Sequence, residues 1–106
     1  MVKKVLVYWR DIPSQVIVQR GRRREKVLLD GRFQEAIDRA AMRAGKGGSS
    51  AYLAEWRRET TTVDAAGDLR EIALAEASRF EEEFTQARLS ALIRSHGVAP
   101  DSDNGA

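Results

Sequence analysis

The chain has no cysteine and only one histidine, His96. The first absence excludes disulfides, zinc–thiolate sites and thiol nucleophiles together, and it fits a reducing compartment. The second excludes the common metal sites built from several imidazoles. Long apolar runs are missing too. The densest, Val5 to Trp9, falls far short of the roughly 20 residues a membrane helix needs. Arg10-Asp11 ends that run before it reaches the length of a signal-peptide core. The expectation is a cytoplasmic chain with no membrane partner, no metal and no cofactor.

Surplus charge is also scarce. The 106 residues carry a formal net charge of +2. Its distribution is uneven: residues 1–60 sum to +7 and residues 61–106 to −5. The two halves either attract each other in the fold or present two faces to different partners. With 42% hydrophobic residues, a chain of this length builds one core without covalent staples.

What is present begins with Val2 to Arg10, Val-Lys-Lys-Val-Leu-Val-Tyr-Trp-Arg. Read with period two, Leu6 and Tyr8 point one way and Val5, Val7 and Trp9 the other. Both sides are apolar, which predicts the central strand of a small sheet. Asp11 to Ser14 contains Pro13 and reads as a turn. Gln15 to Gln19 is a second strand, Gly21 supplies a tight turn, and Arg24 to Leu29 is the return strand. An antiparallel meander over residues 2–29 follows.

After Asp30-Gly31 the period becomes 3.6. Phe33, Ala36, Ile37, Ala40, Ala41 and Ala44 share one helical face, with Asp30 as cap, Gly45 as stop and Met42 as an edge gap-filler. Lys46 to Ser50 is a hinge. Residues 51–59 fit either a helix, pairing Tyr52 with Trp56, or a fourth strand leading into Thr60-Thr61-Thr62-Val63. The strand is the expectation. Asp64 or Asp68 then caps a long helix, Asp68 with Glu71 having the spacing of a capping box. Its stripe runs through Leu69, Ile72, Ala73, Phe80, Phe84, Ala87 and Ala91. Gly97 is the stop and Pro100 bars continuation. Such a helix outruns a small sheet. It bends, breaks near Glu81-Glu82-Glu83, or offers Leu89, Leu92 and Ile93 to another chain, a route to a homo-oligomer. The predicted fold is α+β: a small, mainly antiparallel sheet, a three-stranded meander plus a fourth strand, with two helices on one face. One domain spans 1–97, and 98–106 form a disordered tail.

Three motifs invite chemistry and fail on geometry. Gly45 to Ser50 lacks the order and the preceding strand of a phosphate loop. Glu81-Glu82-Glu83 point about 100° apart on a helix and do not converge on one ion. His96 has no neighbouring nucleophile and sits where a helix ends. Two features remain. Arg20, Arg22, Arg23, Arg24 and Lys26 crowd a hairpin tip, as a phosphate-binding arm would, or as edge-strand protection. Tyr8, Trp9, Arg10 and Asp11 place two large aromatics beside a charge pair, as a binding wall or as core packing. Tyr52 and Trp56 join them as candidate contact residues.

The stretches Tyr8-Trp9-Arg10-Asp11-Ile12-Pro13, Phe33-x-x-Ala36-Ile37-Asp38-Arg39-Ala40-Ala41-Met42 and Tyr52-Leu53-x-x-Trp56 together resemble the small bacterial domain family named for conserved virulence factors, over about residues 2–90. In some members of that family the domain is fused to an iron–sulfur-scaffold-type domain and to helical repeats, neither of which is in this chain. The resemblance also suggests an accessory role in folate- and corrinoid-linked one-carbon metabolism. It carries no catalytic residues. The expected function is a non-catalytic binding or accessory module that meets a protein partner. Nucleic-acid binding through Arg20 to Lys26 is the second expectation. An enzyme using Tyr8, Arg10 and Asp11 is the third.

Overall fold

The computed structural model describes residues 1–99. Of the expected tail, 98–106, residues 100–106 lie outside the described residues, while the Val98 N–H donates to the Ser95 carbonyl and the Ala99 N–H to Asp11. Four antiparallel strands form one sheet: β1 (Val2–Trp9), β2 (Ile12–Arg20), β3 (Arg23–Leu28) and β4 (Trp56–Val63), in the order β3-β2-β1-β4. The helices are α1 (Gly31–Arg43), α2 (Ser49–Ala54), α3 (Leu69–Glu83) and α4 (Gln86–Arg94). The α+β class and the central position of β1 are as expected. The helix count is not, since among the described residues four helices replace two.

The first turn is Arg10-Asp11 rather than Asp11 to Ser14, and Pro13 lies inside β2. The register explains the tolerance. β3 ends its pairing at Leu28–Gln15, so Pro13 has no strand on its β3 side and its missing N–H breaks no ladder. Opposite β1 the pairing steps from Val7–Gln15 to Tyr8–Pro13, leaving Ser14 over as a bulge. A bulge adds local twist. Beyond it Trp9, which shares the parity of Val5 and Val7, joins the main core instead of their cluster.

Residues 51–59 are both elements at once. Ser49–Ala54 form α2, and the strand starts only at Trp56. Tyr52 and Trp56 therefore share no helix, yet their rings meet edge to face at 5.8 Å across the junction. The long late helix breaks at Phe84, whose ψ of 82° leaves the helical region. Thr85 restarts it, its hydroxyl accepting from the Arg88 N–H. Arg32 seals the break by donating to the carbonyls of Glu81 and Phe84. Leu89 and Leu92 consequently fold back into the chain's own core, with Ile93 only partly covered. Asp30 and Asp68 cap α1 and α3 as expected. Met42 does not fill a gap: it is 74% exposed.

The helices lie against one face of the sheet. α3 runs along β2 and β3, and Lys4 reaches Glu76 while Glu25 reaches Arg70. Tyr8 meets Phe80 edge to face. The main core joins Val2, Ile12, Val16 and Val18 of the sheet to Phe33, Ile37, Phe80, Phe84 and Leu89 of the helices. A second cluster, Val5, Val7 and Ile17 with Trp56 beside it, draws no residue from any helix.

Candidate functional site

The sequence candidates Tyr8, Trp9, Arg10, Asp11, Tyr52 and Trp56 meet at one corner, where the β1–β2 turn faces α2 and the segment after α4. Trp9 is fully buried. Its indole N–H donates to the Tyr52 carbonyl at 2.9 Å, and its ring stacks on Tyr52 at 6.0 Å. Arg10 adopts φ +52°, a left-handed conformation that costs a side chain about 1–2 kcal/mol. Its contacts hold it there. Its N–H donates to the Glu55 carbonyl, its Nη1 to the His96 carbonyl, and its Nε lies 3.2 Å from the Glu55 carboxylate. The hydrogen bond from Arg10 draws the Glu55 carboxyl below its ordinary 4.5, with the charges of Arg10 and Lys46 adding to it. That is the wrong direction for a general acid at neutral pH.

Arg57 ties the corner to β4. It donates to the Arg10 carbonyl at 2.7 Å and to Asp11 at 3.0 Å, and its guanidinium lies 4.4 Å from the Tyr8 ring centre. The other Asp11 oxygen accepts from the Ala99 N–H, and the Asp11 N–H donates to the Gly97 carbonyl. Burial, with Glu59 beside it, raises the Tyr8 phenol above its ordinary 10.0 although Arg57 and Arg79 pull the other way. The Trp9 indole N–H, the Arg10 and Arg57 guanidinium groups and the Asp11 carboxylate are thus all engaged within the chain. The corner clamps the segment after α4 onto the sheet. Among the described residues no three of His, Asp and Glu converge to hold a metal ion.

The basic hairpin is divided by the fold. Arg20 donates to the carbonyls of Ala65 and Gly67. Arg23 pairs with Arg20 and Arg22 occupies the turn. Arg24 and Lys26 alternate onto the face away from the helices. There they join two cations that the sequence reading did not group with them, Lys3 from β1 and Arg58 from β4. The register gives three rungs across the sheet, Arg24–Gln19–Lys3–Thr62, Lys26–Ile17–Val5–Thr60 and Leu28–Gln15–Val7–Arg58. Val5 and Val7 are each 6% exposed and Ile17 3%, while all four cations are exposed.

Among the described residues none of those four cations takes part in an ion pair, and the sheet's two acids, Glu25 and Glu59, alternate onto the other face. At one end a shallow depression of about 540 Å³ is lined by Val7, Gln15, Trp56, Arg57 and Arg58. The Gln15 Oε1 is shut off from solvent and has no hydrogen-bond donor. A signal for the stripe was available in the sequence. Lys3 and Val5 alternate as Lys26 and Leu28 do, but only the register shows that they share a face.

Fold and surface together define a small α+β domain with helices on one side of its sheet and a helix-free, cationic face on the other. The family model described as Virulence factor matches residues 7–93, and the chain belongs to that family. No curated protein and no solved structure matches the chain.

Proposed function

We propose that the chain is a non-catalytic accessory module that works by binding a protein partner, and that the helix-free face of the sheet is where it binds. One observation carries this reading. Three aliphatic side chains are packed on a face that no helix of the described residues covers, and among those residues the four cations around them have no ion-pair partner. On the opposite face charges are matched, Lys4 with Glu76 and Glu25 with Arg70. A face of unpaired like charge, closed over its own aliphatic residues, offers a partner electrostatic complementarity. The corner around Trp9 supports the same reading, because its carboxylates, Asp11 and Glu55, are each held by an arginine. The name of the family specifies no chemistry.

The test is capture from a bacterial lysate by the intact chain and by a Lys26→Glu/Arg58→Glu variant, both exposed positions. A protein retained by the first and lost by the second is the expected result. Equal capture by both removes the face from the reading. A salt titration against single-stranded and duplex DNA tests the alternative of nucleic-acid binding, which predicts affinity falling steeply with salt.

A further inference from the structure

We infer that the outer edge of β4 docks a second copy of this chain, the two copies joining β4 to β4 in one continuous antiparallel sheet. The two edges of the sheet are built differently. β3 is six residues long and carries the consecutive charges Arg23, Arg24, Glu25 and Lys26. It also has α3 along it, with Arg70 of α3 on Glu25. Short length, charge and a covering helix are the devices that keep an edge from pairing. β4 is eight residues long, has no proline, and keeps its register against β1 from Val2–Val63 to Trp9–Trp56 without an irregularity. Its charges stop at Glu59. The run Thr60-Thr61-Thr62 that follows is uncharged, β-favouring and exposed on both faces of the sheet.

The backbone shows what this edge offers. The Arg10 N–H donates to the Glu55 carbonyl, which continues the β1–β4 register by one step. Hydrogen-bonded pairs alternate along an antiparallel ladder, so Arg57, Glu59, Thr61 and Val63 turn their N–H and C=O groups towards β1. Trp56, Arg58, Thr60 and Thr62 turn theirs outward. Among the described residues β1 is the only strand beside β4, and no other backbone group meets these outward groups. Such a row of alternating donors and acceptors is matched by another extended strand.

The side chains select a copy of the same strand, related by a two-fold axis. With Thr60 on the axis, Thr60 meets Thr60, Arg58 meets Thr62 and Glu59 meets Thr61 of the second copy. Thr–Thr pairs are favourable across strands, and like charges directly opposite are not. Moving the axis to Arg57, Arg58 or Glu59 would set that charge against itself. Moving it to Thr61 would shorten the pairing. The Thr60 register is thus the longest that opposes no like charges, and it joins outward group to outward group. Opposed residues of an antiparallel pair share a face, so the helices of both copies lie on one side. The two helix-free faces then form a single surface and stay open.

The experiment is sedimentation equilibrium of the intact chain at concentrations up to the order of 100 μM, because an interface made by strand edges alone belongs to the small, weak class. Amide hydrogen exchange at low and high concentration accompanies it. The expected result is a monomer–dimer equilibrium in which exchange at the Arg58, Thr60 and Thr62 N–H groups slows as the dimer forms. Exchange at Trp56, beyond the register, should not change. Thr60→Pro removes only an outward N–H, so its Tm should hold while its dimer is lost. Thr60→Lys keeps every backbone group and sets two ammonium groups against each other on the axis. It should weaken the dimer by about fivefold, with recovery in high salt. If the proline variant fails to fold, the lysine variant decides alone. A chain that stays monomeric, a dimer indifferent to both changes at Thr60, or slowed exchange at Trp56 overturns the inference. So does a monomer whose β4 amides are protected only by a different protein, which would give the edge to that partner instead of a second copy.

Discussion

Replacing Gly97 by alanine should damage the fold more than any other glycine-to-alanine change at a comparable backbone conformation. Gly97 has φ +86°, so a side chain there costs about 1–2 kcal/mol before any contact is counted. A Cβ at this position would lie 2.9 Å from Cζ3 and 3.2 Å from Cε3 of Trp9, and 3.5 Å from the Ala40 Cβ. The ring cannot easily give way, because its N–H is committed to Tyr52 and it is fully buried. Nor can the backbone, whose N–H donates to Leu92 at 2.7 Å and whose carbonyl accepts from Asp11 at 2.8 Å. Overpacking of this kind costs about 1–3 kcal/mol. Reduced freedom of the unfolded chain returns about 0.4–1 kcal/mol. The net loss is about 1–4.5 kcal/mol, or roughly 5–20 °C in Tm for a domain of this size. Gly21→Ala is the control: its φ is +59° but nothing lies within 4 Å of the added Cβ, so only the backbone cost applies. Urea and thermal unfolding of both variants, with Trp9→Phe alone and combined with Gly97→Ala, complete a double-mutant cycle. The reasoning fails if Gly97→Ala costs no more than Gly21→Ala, or if shrinking Trp9 leaves the cost unchanged.

Acid should weaken the fold through Glu76. Burial alone would raise its carboxyl, but hydrogen bonds from Arg79 and Lys4 outweigh it and hold the value below 4.5. A lowered folded value means stability fully present above about pH 4.5 and lost as pH falls through the folded value. Lys4→Met should flatten that part of the stability-versus-pH curve, read by urea midpoints from pH 6 to 2.5, roughly bracketing the transition. Tyr8 has the opposite sign. Its raised value gives stability present below pH 10.0 and lost as pH rises through the folded value, so Tyr8→Phe should remove part of the alkaline loss seen in the same assay. Arg32→Ala should cost about 2–3 kcal/mol by orphaning the carbonyls of Glu81 and Phe84, and Arg32→Lys should recover only part of it, because an ammonium cannot fork to both. Differential scanning calorimetry decides this, and full recovery by lysine would contradict the capping role.

The elements that sequence revealed are those whose pattern is local. Strand alternation in Val2 to Trp9, the β2–β3 hairpin around Gly21, and the face of Phe33, Ile37 and Ala40 need no knowledge of distant partners. The elements it missed are decided at a distance. Pro13 reads as a turn residue, yet it is accommodated because β3 stops at Leu28. The late helix reads as continuous because Phe80, Phe84, Ala87 and Ala91 keep their period. The break at Phe84 is stabilised by Arg32, more than fifty residues upstream, a partner no local window contains. The corner residues were legible as a group, and the structure does bring Tyr8, Trp9, Arg10, Asp11, Tyr52 and Trp56 together. Their engagement with one another was not legible, because periodicity cannot tell a buried Trp9 from an exposed one. The basic tip was legible as a cluster. Its division between two faces, and its union with Lys3 and Arg58, depend on register.

Unpaired surface cations are by themselves weak evidence of function, since water solvates them well. Edge protection accounts for some of these: Arg24 and Lys26 lie on β3 and Arg58 on β4, the two edges of the sheet. It does not account for Lys3, which projects from a central strand, nor for the absence, among the described residues of the sheet, of any acid on this face. Two like charges about 6.6 Å apart, as on Arg24 and Lys26, repel by about 0.6 kcal/mol in water before salt screening. A single carboxylate at Gln19 or Thr60 would turn that repulsion into attraction, and the chain has 16 acidic residues to draw on. If the face exists to be occupied, its charges are kept at a small cost to the isolated fold. Changing Lys3, Arg24, Lys26 and Arg58 together to glutamine should then leave Tm unchanged or raise it by a few degrees, most visibly at low salt, while capture of the partner is lost. A substantial fall in Tm would show instead that these side chains serve the fold by covering Val5, Val7 and Ile17 with their methylene stems, and the face would need no ligand to explain it.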